Sequence, residues 1–250
     1  MTAIRGDMGQ ENVKVGFLYP PGGGEYEYYQ VAEALDYQFR PYIACAERHG
    51  GDKSHDPDAL RRTAGIDALA FTASTLAPLK PQAVMWACTS GSFILGRGHA
   101  EAQVRAISAA AGCPAGSTSL AFVHALEALG TIRVSVVATY PPDAADAFVN
   151  FLAEHAIDVC ALECLNVTSG NFSFALAPET VREAANRVNT QAADALLIPD
   201  TAMAGFSVST VLEPQLEKPV LTANQVTLWD GLRLAGSRLR LDGFGSLLAR

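Results

Sequence analysis

Short apolar runs alternate with longer stretches of helical period along the whole chain. The run VKVGFLY at 13–19 reads as a buried strand, ended by Pro20-Pro21 and three glycines that cannot continue it. Apolar residues at helical spacing follow over 28–39, and residues 41–46 read as a second strand. Asp56-Pro57 opens a helix with proline at its first position, and the helical period runs on over 58–79 until Pro81 stops it. The run Ala83-Val84-Met85-Trp86-Ala87 reads as a buried strand that stops at Cys88, where Thr89, Ser90, Gly91 and Ser92 turn the backbone. A helix over 99–110 and a short strand over 113–117 come next.

The second half repeats the rhythm. A helix over 119–129 closes at Gly130, the strand IRVSVVAT covers 132–139, and a helix covers 143–155. A strand over 157–165 leads into a polar loop, in which a helix opens at Pro178-Glu179 and runs to 192. Residues 195–198 form another buried strand, which breaks into Pro199-Asp200-Thr201-Ala202. A helix over 209–216, a strand over 219–222 and a helix over 225–235 complete the pattern.

Strands alternating with helices at this spacing predict an α/β fold with parallel sheets covered on both faces. Leu18-Tyr19-Pro20-Pro21 returns as Thr139-Tyr140-Pro141-Pro142, each time at a strand end, which predicts two similar halves. A pseudo-twofold axis between them would set Cys88 and Asp200 facing each other across one cleft, where small ligands bind.

Composition narrows the function. A hydrophobic content of 49% with 18% charged residues is that of a folded globule, and a net charge of −8 disfavours sequence-independent nucleic-acid binding. The basic run Arg233, Arg238, Arg240 reads as a solvated face. No apolar stretch approaches the roughly 20 residues of a membrane span, and the first ten residues read as a loose tail without a signal core. A cytoplasmic location is expected, with neither nucleic acid nor membrane as a partner. Five cysteines with no C-x-x-C pair disfavour a disulfide framework and a structural zinc site, and no metal is expected.

Cys45, Cys113, Cys160 and Cys164 read as inert core thiols, since each sits in or beside apolar strand-like sequence. Cys88 differs, because hydroxyls and a turning backbone follow it, and it is the candidate reactive thiol. The Gly22-Gly23-Gly24 run lacks the residues of a phosphate loop and reads as a flexible loop over the cleft. Asp200 reads equally as a turn residue and as a functional one.

The Cys88-Thr89-Ser90 turn, the segment VVATYPPDAADAFVNFLAEH (136–155) and the closing PVLTANQVTLWDGLRLAG (219–236) resemble the aspartate/glutamate racemase superfamily, in the branch of maleate cis-trans isomerase and arylmalonate decarboxylase. The resemblance implies two Rossmann-like domains with the active site in the cleft between them, and no metal or organic cofactor. It gives a first domain of residues 1–117 with 221–250 and a second of 118–220. Such proteins place up to two cysteines across the cleft; here the first is Cys88, and the second position falls on or next to Asp200. Cys88 and Asp200 are then the catalytic candidates, and Thr89, Ser90, Tyr140, Pro20, Pro21 and Thr201 the substrate-binding ones. The expected activity is cofactor-independent isomerisation of a small dicarboxylate through the Cys88 thiolate and an enediolate-stabilising pocket. The alternatives are a decarboxylase with Cys88 as proton donor and a carboxylate binder without catalysis. A homo-oligomer stays open.

Overall fold

The computed structural model describes residues 12–20, 23–46 and 54–250, so the expected tail over residues 1–10, Pro21 and Gly22 lie outside the described residues. The first half runs β1 (Val13–Tyr19), α1 (Tyr26–Ala34), β2 (Phe39–Cys45), α2 (Pro57–Thr63), α3 (Ile66–Leu76), β3 (Ala83–Trp86), α4 (Thr89–Phe93), α5 (Gly96–Ala111), β4 (Ala115–Ser117) and α6 (Thr118–Leu129). The second half runs β5 (Arg133–Ala138), α7 (Pro142–Ala153), β6 (Asp158–Cys164), α8 (Gly170–Phe174), α9 (Pro178–Val188), β7 (Ala195–Ile198), α10 (Phe206–Leu216), β8 (Val220–Thr222) and α11 (Ala223–Leu234).

The strands form two four-stranded parallel sheets, ordered β2-β1-β3-β4 and β6-β5-β7-β8. The order is the same in both, so the sequence echo is a repeat of topology. In each half the two inner strands are apolar almost throughout because helices cover both faces, and β3 (AVMW) and β7 (ALLI) are buried at every residue. After β8 the chain returns to the first sheet, where α11 packs on α6, β3 and β4. The boundary expected after residue 220 falls inside β8, whose ladder to β7 keeps Leu221 and Thr222 in the second sheet.

Several local expectations change, among them the helix expected over 28–39, which ends at Ala34, and the one expected to run to 192, which ends at Val188. The helix predicted over 58–79 is two helices, α2 and α3, parted at Ala64-Gly65, where Gly65 leaves helical geometry (φ −63°, ψ 119°) to cap α3. The short α4 was not legible, because Thr-Ser-Gly-Ser is poor helix-forming sequence; burial of all five of its residues fixes it. The four cysteines read as core thiols are not buried: Cys45 is exposed and Cys113, Cys160 and Cys164 are half-buried. Cys45, Cys160 and Cys164 lie on β2 and β6, the edge strands of their sheets, so apolar sequence there does not mean a covered side chain.

A buried polar joint ties the halves together beside the strand ends. The Glu27 carboxylate on α1 accepts from Gly205 N (2.9 Å), Phe206 N (2.9 Å) and Asn224 Nδ2 (2.8 Å), closing the start of α10 from the opposite half. Asn224, at the start of α11, also donates toward the Thr201 carbonyl (3.2 Å) and accepts from the Tyr28 hydroxyl (3.2 Å). The Gly23-Gly24 stretch is packed into this joint. A Cβ on Gly24 would stand 2.5 Å from Asn224 Nδ2 and 2.8 Å from the Thr201 carbonyl, so glycine serves close approach here.

Burial raises the Glu27 pKa, and its hydrogen bonds to Gly205, Asn224 and Phe206 only partly oppose that. A raised folded value means that the native state holds this proton more tightly than the unfolded chain does. Its stabilising contribution is therefore full below the ordinary carboxylate value of about 4.3 and is lost as pH rises through the raised one. Denaturant unfolding of wild type and Glu27→Gln across about pH 4 to 7 is expected to show wild type losing stability relative to the variant as pH rises; a difference independent of pH would contradict this.

Candidate active site

The carboxyl ends of the inner strands carry the chemistry. Beyond β3, Ala87 N donates to the Leu18 carbonyl (2.9 Å), which holds the chain in line with β1 for one more residue. Cys88 is then extended (φ −146°, ψ 115°) and caps α4, its Sγ accepting from Gly91 N at 3.4 Å. The Ser90 hydroxyl lies 3.8 Å from the same sulfur. The Ser92 hydroxyl braces the turn, donating to the Cys88 carbonyl (2.8 Å) and accepting from Ser119 N (3.1 Å). Gly91 lets this turn close: a Cβ there would meet the Trp86 ring at 2.8 Å and Sγ at 3.2 Å.

Cys88 and Thr89 are each 1% exposed and Ser90 4%. The Thr89 hydroxyl makes no hydrogen bond within the protein, although it is buried. A buried hydroxyl without a partner costs about 1 to 3 kcal/mol, and a ligand oxygen would satisfy it.

Tyr140 follows β5 and brings the second half to the same point. Its phenol is buried, and its pKa stands well above the ordinary value, first through burial and then through the negative charges of Asp200 and Cys88. The nearby side chains of Thr89 and Ser90 oppose this in part. The phenol is therefore a neutral donor among Cys88, Asp200, Thr89 and Ser90.

Asp200 follows β7 and is buried. Its Oδ2 accepts from the Thr139 hydroxyl (2.6 Å) and its Oδ1 from Ala202 N (2.9 Å), so both carboxyl oxygens act as acceptors. Asp200 is thus at once a turn residue and a neighbour of the Tyr140 phenol. Thr201 is buried beside it, and its carbonyl accepts from the Tyr19 hydroxyl and from Asn224. Pro20 is buried at the end of β1, in the position that mirrors Pro141 after β5. The structure thus gathers Cys88, Thr89, Ser90, Tyr140 and Asp200 around one point, with Thr201 tied behind Asp200.

Two aromatic residues line Tyr140 that motif reading did not select. His55 meets its ring at 4.9 Å and 75°, and Phe93 at 5.7 Å and 71°. His55 lies far from Cys88 in sequence and carries no motif, so only the fold brings it here. Tyr19 was legible in principle, because it is the first-half partner of Tyr140 in the repeated Tyr-Pro-Pro. Among the described residues no three His, Cys, Asp or Glu side chains gather as a metal ion would require, and no helix is long and apolar enough to cross a membrane.

The family profile described as arylmalonate decarboxylase matches residues 61–248. The arylmalonate decarboxylase of Bordetella bronchiseptica is 25% identical over 236 residues, covering 93% of this chain and 95% of that protein. Among solved structures, a cysteine-to-alanine variant of a Pseudomonas putida maleate isomerase, with maleate, superposes with a TM-score of 0.87 at 21% identity over 95% of this chain and 97% of the other. A cysteine-to-serine mutant of the Nocardia farcinica maleate cis-trans isomerase, carrying a covalently bound succinylcysteine intermediate, gives 0.85 at 20% over 95% and 98%. A liganded arylmalonate decarboxylase with one glycine changed to cysteine and one cysteine to serine gives 0.80 at 24% over 94% and 98%. The structural likenesses establish the fold.

Proposed function

The chain belongs to the arylmalonate decarboxylase family, and from that premise we propose that it is a cofactor-independent isomerase of small dicarboxylates, with Cys88 as its nucleophile. The observation that carries this reading is the setting of the Cys88 sulfur. Sγ accepts from Gly91 N, the acceptor role that a thiolate fills, beside hydroxyls and a neutral phenol that can bind a carboxylate. The covalent succinylcysteine in the Nocardia isomerase supports addition of a cysteine to a cis-dicarboxylate in this fold.

In the proposed reaction the Cys88 thiolate adds to one alkene carbon and the π pair moves into the adjoining carboxylate, giving an enediolate. The former double bond is now single and rotates. The pair then returns, the carbon–sulfur bond breaks, and the trans product leaves with the thiolate restored. No proton changes hands, so the cycle needs no second thiol across the cleft. Thr89, Ser90 and Tyr140 donate to the enediolate as charge enters it, and a preorganised donor of this kind contributes about 3 kcal/mol to the transition state. Asp200, an acceptor through both oxygens, fixes the Thr139–Tyr140 strand end.

The family profile and the Bordetella relative favour a second reading, decarboxylation of an arylmalonate. There carbon dioxide leaves first, the enediolate carbon takes its proton from a Cys88 thiol, and solvent reprotonates the sulfur. Incubation with maleate and with phenylmalonate separates the readings: fumarate from maleate supports the first, and carbon dioxide from phenylmalonate alone supports the second. If neither reacts while malonate slows alkylation of Cys88, the protein binds carboxylates without turning them over.

A further inference from the structure

We infer that His55 is a positioning residue for Tyr140, fixed to the same backbone that carries the phenol; this rests on the reading of the Tyr140 pocket as the dicarboxylate site. His55 is 2% exposed. Its Nδ1 lies 2.8 Å from the Val167 carbonyl, and a carbonyl oxygen only accepts, so Nδ1 carries the hydrogen. Its backbone N donates to the Thr168 carbonyl (2.8 Å), and the neighbouring Ser54 pairs with Ser169 in an antiparallel bridge. Ser54 and His55 come from the first half and 167–169 from the second, so the imidazole is held by the opposite half of the molecule.

The frame closes on Tyr140. Val167 N donates to the carbonyl of Thr139, the residue before Tyr140, at 2.7 Å, and Thr139 also holds Asp200 through its hydroxyl. Imidazole and phenol thus hang from one short stretch of hydrogen-bonded backbone, and their rings meet nearly at right angles. Phe93 closes on the phenol ring in a second edge contact. The two aromatic contacts hold the phenol in the orientation that faces Thr89, Ser90 and the sulfur.

The test is a double-mutant cycle in malonate affinity, read by calorimetry, with thermal unfolding as the control for folding. His55→Asn keeps an amide donor near the Nδ1 place and loses the ring, whereas His55→Phe keeps the ring and loses the donor. Each single variant is expected to bind malonate about tenfold more weakly, because both the ring and its anchor are needed. In a Tyr140→Phe background the same changes are expected to alter affinity less than about twofold, since no phenol remains to be placed. Equal losses in both backgrounds would overturn the inference and leave the dicarboxylate reading standing. Wild type that fails to bind malonate at all would overturn both.

Discussion

Cys88→Ala is expected to reduce turnover of the substrate by about 10³-fold or more, the scale on which removal of a nucleophile acts, while changing the affinity for malonate by less than about threefold. The split follows from the geometry. In the proposed reaction the sulfur forms and breaks the bond to carbon, whereas the carboxylate is held by Thr89, Ser90 and Tyr140; the Thr89-Ser90 turn keeps its brace from Ser92 and Ser119 when the sulfur cap on Gly91 N is lost. Steady-state kinetics and calorimetry on the same preparation check both halves. A variant that keeps even one-tenth of wild-type turnover would remove Cys88 from the mechanism. A variant that loses malonate binding along with turnover would show the sulfur to be a structural cap of α4.

Tyr140→Phe is expected to lower kcat by about 10²- to 10³-fold, the loss that follows removal of one preorganised donor to a developing oxyanion. Only the hydroxyl goes, and the ring keeps its contacts with His55 and Phe93. The pH profile carries the same information. Burial and the charges of Asp200 and Cys88 hold the phenol in its neutral form. Because the value is raised, the donor persists as pH climbs, and no loss of activity from its ionisation is expected below about pH 10. An alkaline limb near neutrality that disappears in Tyr140→Phe would contradict this assignment.

Most of the fold was legible because both sheets are buried on two faces and their strands are written as apolar runs. The 13–19 and 195–198 runs became β1 and β7 with the same limits. What the pattern did not separate was an edge strand from an inner one. Cys45, Cys160 and Cys164 sit in apolar sequence yet reach the surface, whereas Cys88, chosen for reactivity, is the buried one.

The candidate site was legible where its residues lie at strand ends that break abruptly, at Cys88, Tyr140 and Asp200. It was hidden where it is assembled from residues whose only signal is three-dimensional. Glu27 and Asn224 carry no motif, and only the fold brings them together across the two halves. His55 is of the same kind, brought to Tyr140 by contacts to Val167 and Thr168.

In the proposed reaction one thiol, that of Cys88, adds to the dicarboxylate. The most direct measurement is acid quenching during turnover of maleate, followed by peptide mass spectrometry over all five cysteines. A succinyl adduct is expected on the peptide that carries Cys88 and on no other. Fumarate formed with the adduct on a different cysteine, or with Cys88 never modified at any quench time, would contradict it.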